Sequence, residues 1–539
     1  MDKTKQKQIA LWLSLAGMAG ILWILRSWNL EIGDGEFCCK QTAGDHVFPI
    51  TLSRCPLSHL LYRAVFFTLH GLWGWWVEDC IALCSCAAGV LFFWSLFRYA
   101  SQIGTDWWQF LIFILFPSST LLFQVFCGHI EFYPWTCALL MLSGYLAWLA
   151  IEKKQSLLWP SLAMAFAAAF HSSGVFYFPV LLFLPLLQQK KEGERLWPDA
   201  PTWKKILLFF GLFLVTALIH RKPYWHLLGV ILVVPAYFYL IPAHWKTALK
   251  EYWPIYLPWF FLFTIRAAFG LRAEPLIEHL PPLVEPYSHK AYLYYGALLV
   301  CGIYFKPFID SFGLLSEHYD HGAYLYAGLS WDHLYDKTMF HLWLMPFGLL
   351  TFLVAVLFFR KLLSRDRWAF FLFHFSFWGL LWMTLFYPQL RTRDWDLFAT
   401  VAVSVNLFTV YFWYKLLPMR WFRITLPIMI LIQAGIAGPI LWKNSSLGVD
   451  RGYVQLRFDP SPVQSNVFLR GLLLLQPTPL EQAHVRAGMA NIRIVPLQRG
   501  HASWEEDRYL VAGQSYVFDP VLQSIEVPPI PTNEEIIRE

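Results

Sequence analysis

Charged side chains are scarce in this sequence. Asp, Glu, Lys and Arg make up only 14% of its 539 residues, whereas 57% of the residues are hydrophobic and the mean hydropathy is +0.45. Soluble proteins carry roughly 25% charged residues, so this composition excludes an ordinary array of soluble domains. Within a bilayer, a chain that does not close into a β-barrel can satisfy its backbone polar groups only by forming helices. The composition therefore predicts an all-α polytopic membrane protein.

Zinc-type cysteine spacing is also missing. The chain has nine cysteines, and none has the paired spacing of a zinc site. Six of them lie in or beside apolar runs, where a thiol packs as a small core residue: Cys80, Cys84, Cys86, Cys127, Cys137 and Cys301. The other three, Cys38, Cys39 and Cys55, share one loop. A disulfide among these three is an open alternative if that loop is exported, because export favours oxidation.

Apolar runs of membrane-spanning length divide residues 1–442. Windows of that length give about thirteen candidate spans, at residues 9–27, 79–97, 108–126, 134–151, 156–171, 174–188, 204–220, 224–242, 252–270, 339–359, 368–387, 396–416 and 424–442. Most Lys and Arg lie in alternate loops, while connections 127–133 and 171–173 carry none. The positive-inside rule then places the N-terminus in the cytoplasm. The net charge of +6 is thus explained by topology, and no nucleic-acid partner is predicted.

Two long connections and a tail are predicted to be exported. The first loop, residues 28–78, contains an aromatic stretch at 57–76 that suits a helix lying in the headgroup region. The second, residues 271–338, contains an apolar run at 291–305 that either spans the membrane or lies on it; the charge pattern favours lying on it. Residues 443–539 are charged and Pro-rich. They are predicted to form a small soluble α+β unit with a few strands and a helix around 463–475.

Acidic residues near the predicted membrane boundary fall into three groups on one side. Asp34 and Glu36 follow the first span in GDGEF, and Glu131 lies in GHIEFYPW between spans three and four. Asp394 and Asp396 lie in RTRDWDLF at the start of span twelve. A single acid here is equally well explained as part of a solvated rim, but desolvation makes such groups costly and they often mark function. Their convergence indicates a site.

Basic and imidazole groups accompany these acids on the predicted outer face. Arg391 and Arg393 precede Asp394, and His333 lies in SWDHLYDK. A guanidinium supplies the forked donors that bind phosphate, although pairing with the nearby aspartates is an equal alternative. His129 either orients the carboxylate of Glu131 or is a surface imidazole. His171, in FHSSG, is interpreted as a packed or capping residue.

These residues carry a resemblance to a known superfamily. An acidic motif after the first span, a second acid between spans three and four, many spans and a small exported C-terminal part resemble the GT-C membrane glycosyltransferases, which use sugars linked to lipid phosphates. The arrangement is similar to protein O-mannosyltransferases, aminoarabinose transferases and the catalytic subunits of oligosaccharyltransferases. The segments FHSSG, SWDHLYDKTMFHLWLMPFG and RDWDLFA are similar to those of uncharacterised bacterial members.

The resemblance implies roles for individual residues. Asp34 matches the general base that deprotonates an acceptor hydroxyl, with Glu36 as its neighbour, and Glu131 matches the second acid. His333, Arg391 and Arg393 are implied to bind the donor phosphate. Two departures are visible: the tail has no WWD-type acceptor motif, and the first motif is Asp-x-Glu instead of two adjacent acids. The need for a divalent cation (Mg²⁺ or Mn²⁺), held by Asp34, Glu36 and Glu131, therefore stays open.

The resulting hypothesis is an inverting glycosyltransferase in a bacterial inner membrane. It would move a sugar from a polyprenyl-phosphate donor to a hydroxyl of a protein, lipid or glycan at the outer face. Two alternatives belong to other classes. A lipid-linked sugar transporter should show repeat symmetry and polar residues at mid-membrane depth, and a non-catalytic scaffold of an envelope complex would leave the acids unclustered.

The topology can be tested by cysteine labelling. Single cysteines at positions 34 and 394, introduced into a chain whose native cysteines are replaced, should react with a membrane-impermeant maleimide from the same, non-cytoplasmic side. A cysteine at position 420, in a predicted cytoplasmic loop, is the control and should react only after the membrane is opened. Labelling of 34 and 394 from opposite sides would contradict the hypothesis.

Overall fold

The computed structural model describes residues 3–27, 35–43, 55–181, 183–189, 331–385 and 391–445, together with strand segments between 453 and 518. The described residues up to 445 form helices as their regular structure. The α-helices are α1 Lys3–Ile24, α2 Gly35–Ala43, α3 Pro56–Trp73, α4 Val77–Ile103, α5 Trp107–Ser118, α6 Leu122–Phe126, α7 Pro134–Lys153, α8 Leu158–Phe170, α9 Phe178–Leu181, α10 Leu184–Gln189, α11 Trp331–Leu344, α12 Gly348–Phe358, α13 Arg360–Arg365, α14 Arg367–Leu385, α15 Ala399–Leu416 and α16 Met419–Asn444. Two further elements of these described residues are 3₁₀ helices: Ser172–Tyr177, and Arg391–Phe398, called the 391–398 segment below.

Apolar helices make this chain an integral membrane protein. Within the described residues, four helical stretches are long and apolar enough to cross a bilayer: α4, α7, Asp394–Leu416 and α16. A bent pair raises the number to five if it counts as one span. The predicted spans at 204–220, 224–242 and 252–270 lie outside the described residues, as do the run at 291–305 and almost all of the loop 271–338. The count of thirteen therefore stays a prediction.

Three predicted spans are interrupted, which corrects their assignment as single helices. The run 339–359 is a bent pair in which Leu334–Leu344 and Gly348–Phe358 meet at 95°, around Pro346, which has no N–H to continue a helix. The run 108–126 divides into α5 and α6, and Pro117 lies in the last turn of α5. The run 174–188 is likewise divided into a 3₁₀ helix, α9 and α10.

The interruptions in runs 108–126 and 339–359 contact each other. The backbone N–H of Leu121, between α5 and α6, donates to the carbonyl of Trp343 near the end of α11 over 2.9 Å. The side-chain amide of Asn406, on α15, donates to the next carbonyl, that of Leu344, over 3.0 Å. A helix end leaves carbonyls without intrahelical partners. Each interruption therefore helps to satisfy backbone groups that the other has left open.

The core lies between α4, α7, α14 and α15. The apolar windows of α7 and of Asp394–Leu416 are 78% and 89% buried inside the protein, whereas that of α16 is 22% buried. Aromatic side chains fill much of the space: the rings of Phe352 and Phe373 stack 4.6 Å apart, and Trp368 donates from Nε1 to the Tyr99 hydroxyl over 2.8 Å. The outward face of α16 carries large apolar side chains such as Leu431, which suits contact with lipid.

The bundle has two chemically different ends. At the ion-paired end (residues 104–106, 152–157, 366–367 and 415–423) Arg423 bonds to Asp106 over 2.8 Å, and Arg367 bonds to Glu152 over 3.1 Å. Residues 127–133, 171–173 and the 391–398 segment share the opposite end, called the acidic end below. The 2.8 Å contact between His129 and Asp396 and the ring contact of Tyr133 with His171 establish this grouping.

The tail is described as seven strands: β1 Tyr453–Phe458, β2 Ser465–Leu469, β3 Leu472–Leu475, β4 Ala483–Arg486, β5 Gly488–Pro496, β6 Trp504–Leu510 and β7 Ser515–Phe518. One sheet has the order β4-β1-β7 and the other β3-β2-β5-β6. The helix predicted around 463–475 is wrong, because β2 and β3 pair antiparallel there. A short apolar run such as Leu472–Leu475 does not distinguish helix from strand. The helix predicted at 57–76 is present as α3, and its position in the headgroup region stays a prediction.

Gly174 should tolerate no side chain. A Cβ built there would lie 2.6 Å from the backbone nitrogen of Ala168 and 2.7 Å from its Cα, and helix backbone cannot move aside cheaply. We expect Gly174→Ala to lower the free energy of unfolding by about 1–3 kcal/mol, as overpacking does. The measurement is the apparent melting temperature in detergent.

The matched control for this prediction is Gly435→Ala on α16. A Cβ at Gly435 meets nothing within 4 Å, and alanine favours helix over glycine. This variant should be at least as stable as the wild type. Equal melting temperatures for the two variants would contradict the packing around Gly174.

Candidate functional site

The turn 127–133 at the acidic end buries two ionisable side chains. It connects α6 to α7, whose first residue is Pro134, a position where a missing N–H costs nothing. Gly128 has φ +53°, and a Cβ there would lie 2.7 Å from the Cβ of Arg26, so the turn requires glycine. His129 and Glu131 are each 1% exposed. Glu131, predicted from sequence as a boundary acid, is therefore a buried one.

Hydrogen bonds from separate elements hold this turn. The N–H of Ser27, after α1, donates to the carbonyl of Cys127 over 2.6 Å. The hydroxyl of Ser85, on α4, donates to the carbonyl of His129 over 2.5 Å, and the N–H of Glu131 donates to the same carbonyl over 3.1 Å. The hydroxyl of Tyr62, on α3, donates to the carbonyl of Glu131 over 2.7 Å. Buried backbone groups are satisfied in this way, and the turn is fixed.

The carboxylate of Glu131 contacts α2. The thiol of Cys38 donates to Oε2 of Glu131 over 3.5 Å. α2 begins at Gly35, the residue after Asp34, so the GDGEF motif leads directly into the helix that contacts Glu131. Cys38, Cys39 and Cys55 are buried thiols in this structure, which does not contain the disulfide held open by the sequence. They pack with Tyr62 in an apolar cluster.

Asp396 pairs with His129 across the acidic end. Nε2 of His129 lies 2.8 Å from Oδ2 of Asp396, and both side chains are 1% exposed. The second oxygen of Asp396, Oδ1, accepts from the N–H of Leu397 over 3.0 Å. The imidazole also packs against the ring of Trp395 at 5.5 Å. Both carboxylate oxygens of Asp396 are thus engaged within the protein.

A buried lysine was not among the residues predicted from sequence. Lys337, on α11, is 8% exposed and lies within electrostatic reach of Asp336 and Asp394. Its ammonium lies 4.2 Å from the ring centroid of Phe398 at the end of the 391–398 segment, a favourable cation–π geometry. The sequence signal was its place one helical turn after His333 in SWDHLYDK, but a lone lysine beside an aspartate is normally solvated. Its burial depends on the tertiary packing of α11 against the 391–398 segment.

Two histidines near the acidic end have local roles. Nδ1 of His171 accepts from the N–H of Ser173 over 3.1 Å, which matches the interpretation of His171 as a packed, capping residue. His59, on α3 outside the candidate spans, is 1% exposed. Burial, followed by the nearby charge of Arg63, lowers the pKa of His59 to about 4. His59 therefore brings no positive charge to this end at neutral pH.

Several predicted site residues fall outside this description. Asp34 lies outside the described residues. Glu36, His333, Arg391 and Arg393 belong to α2, α11 and the 391–398 segment, but their side chains lie outside the described part as well. Among the residues that are described, no group of three His, Cys, Asp or Glu side chains is arranged to hold a metal ion. Because two of the three predicted ligands are not described, the metal requirement stays a prediction.

Comparison with known proteins gives a distant structural likeness. No protein-family model matches the chain, and no curated protein matches it. The chain is similar to the archaeal oligosaccharyltransferase AglB from Archaeoglobus fulgidus in complex with an inhibitory peptide and a dolichol-phosphate, with 13% identity and a TM-score of 0.40, over 81% of this chain and 55% of that one.

A second likeness is to the Archaeoglobus fulgidus oligosaccharyltransferase tethered with an acceptor peptide containing the NVT sequon via a disulfide bond. Its identity is 13% and its TM-score 0.38, over 80% of this chain and 54% of that one. The chain thus spans little more than half the length of either structure. TM-scores this low do not establish a common fold.

The Tyr62 hydrogen bond should contribute to stability. Tyr62 is fully buried, so Tyr62→Phe would leave the Glu131 carbonyl without this donor. Leaving a buried acceptor unsatisfied costs about 1–3 kcal/mol, and we expect the apparent melting temperature to fall. The control is Tyr335→Phe on α11, whose side chain is 58% exposed and should be neutral. Equal stability of the two variants would show that the bond is unimportant.

Proposed function

We propose that this protein is a membrane glycosyltransferase whose site lies at the acidic end of the bundle. It would transfer a sugar from a polyprenyl-phosphate donor to an acceptor hydroxyl at the outer face of a bacterial inner membrane. The acceptor class, whether protein, lipid or glycan, is left to experiment. The C-terminal unit, residues 443–539, would lie on the same, exported side.

The convergence of distant acidic elements carries this proposal. Glu131 and Asp396 come from parts of the chain more than 260 residues apart, and the 2.8 Å bond between His129 and Asp396 brings their segments together. The same end includes α2, which begins within the GDGEF motif and contacts Glu131 through Cys38. These are the elements on which the resemblance to GT-C enzymes depends. A scaffold protein would not require buried acids to meet in this way.

The reaction needs a base, an acceptor and a stabilised leaving group. The acceptor oxygen attacks C1 of the sugar as the bond between C1 and the phosphate oxygen breaks, and the hydroxyl proton passes to Asp34. Attack from the side opposite the leaving group inverts the configuration at C1. Negative charge develops on the departing lipid phosphate, where Arg391, Arg393 and His333 would stabilise it.

The burial of Glu131 suits a role in positioning the acceptor. A carboxylate that is 1% exposed interacts strongly with nearby polar groups, because little water screens it. It would accept a hydrogen bond from the acceptor hydroxyl or, if the enzyme uses one, bind a divalent cation through oxygen. Its fixed turn means that little reorganisation accompanies the reaction, which is how preorganised sites lower barriers.

The direct test is a transfer assay. The purified protein would be incubated with a panel of polyprenyl-phosphate sugars and with candidate acceptors, and release of free lipid phosphate would be measured. Dependence on added Mg²⁺ or Mn²⁺, and loss on chelation, would decide the metal question. Uptake of a donor into sealed vesicles without release of lipid phosphate would instead indicate a transporter.

Asp34→Asn is the decisive variant. An asparagine cannot accept the hydroxyl proton, so we expect turnover to fall by about 100- to 10,000-fold, the range typical of a lost general base. Expression and donor binding should stay near wild type. The matched control is Asp106→Asn, which removes an aspartate paired with Arg423 at the ion-paired end and should leave turnover unchanged. Full activity of Asp34→Asn would exclude Asp34 as the base.

A further inference from the structure

We propose that Asp396 and His129 form a positioning pair that fixes Glu131 relative to the 391–398 segment, and that Asp396 itself does not contact the substrate. The inference rests on the proposed function, because it assigns Glu131 to the reacting site. It differs from the reading of the sequence, in which Asp396 was one more boundary acid and His129 an optional neighbour of Glu131.

The bonding of Asp396 leaves it little capacity for a substrate. Its Oδ2 accepts from Nε2 of His129 over 2.8 Å, and its Oδ1 accepts from the N–H of Leu397 over 3.0 Å. A group that acted as a base or bound a sugar would need an oxygen open to the reacting atoms. Asp396 is therefore placed to hold its neighbours.

Asp396 is also the polar anchor of the imidazole. A carboxylate oxygen accepts, so Nε2 of His129 carries the proton at this contact. Nδ1 of the ring has no hydrogen-bond partner among the described residues, and the ring packs against that of Trp395 at 5.5 Å. Without Asp396 the imidazole would keep its packing contact with Trp395 but would lose its hydrogen bond to the carboxylate. Leaving a buried polar group unpaired favours a local rearrangement.

The position of His129 is transmitted to Glu131 through a short, fixed stretch of backbone. The carbonyl of His129 accepts from both Ser85 Oγ and the N–H of Glu131, two residues later. On the far side, Tyr62 holds the Glu131 carbonyl and Cys38 contacts the carboxylate. A shift of His129 therefore moves one of the supports of Glu131. Misplacement of a reacting group by about 1 Å can cost 100-fold in rate.

The experiment combines turnover with a second mutation at Glu131. Asp396→Ala and His129→Ala should each lower turnover by about 10- to 100-fold, with KM for the donor unchanged. The turnover of the double variant should be no lower than that of the less active single variant. His129→Gln keeps an N–H donor and should restore turnover to within a few-fold of wild type. Asp106→Ala, at the ion-paired end, is the control and should be unaffected.

The Glu131→Gln background separates positioning from direct action. If Asp396 acts through Glu131, Asp396→Ala should cause no further loss in that background. A second loss of the same size as in the wild type would overturn the proposal, because it would show that Asp396 acts independently.

Hydrogen exchange gives a readout that needs no activity. Amide exchange across residues 127–133 should rise in Asp396→Ala and in His129→Ala, and should stay at the wild-type rate in Asp106→Ala. Unchanged exchange in both site variants would overturn the pair. If the wild type transfers sugar from no donor, the proposed function fails, and this measurement still decides whether the pair holds the turn.

Discussion

The hydrocarbon core of a bilayer offers no hydrogen bonds, and this constraint underlies the whole structure. Every backbone group that leaves a helix at membrane depth needs a partner inside the protein. The interrupted spans 108–126 and 339–359 obey this requirement together, because Leu121 and Asn406 supply donors to the last carbonyls of α11. Helix interruptions are tolerated here since they are packed against each other, and they allow α11 to turn 95° away from α12.

The same constraint determines the character of the acidic end. Glu131 and Asp396 are almost completely removed from water, and an isolated buried carboxylate would be costly. Asp396 is compensated by His129 and a backbone N–H, and the turn that carries Glu131 is bonded to residues after α1 and on α3 and α4. The hydrogen bonds that compensate these buried groups also hold the turn and the 391–398 segment in fixed positions. A rigid arrangement of acids is what a transfer reaction would use.

The two ends therefore use charge differently. At the ion-paired end the side chains are partly exposed, as in the Arg423–Asp106 pair with 45% and 32% of the side chains accessible, and such pairs contribute little to stability. At the acidic end the His129–Asp396 pair is buried, and removing one partner would leave the other without compensation. We expect the functional site at the acidic end, because burying charged groups there costs more free energy than leaving them partly exposed.

Composition alone determined that this chain is a helical membrane protein, and the scarcity of acids was enough to single out Glu131, Asp394 and Asp396. Hydropathy windows average over single prolines, so they passed across Pro117 and Pro346 and predicted continuous spans; likewise, short apolar runs in the tail did not distinguish strand from helix. Tertiary structure decided the rest. The bond between His129 and Asp396 joins residues 267 apart, and the burial of Lys337 depends on α11 packing near the 391–398 segment. Neither is visible in sequence, because local patterns carry no information on which distant segments share an interior.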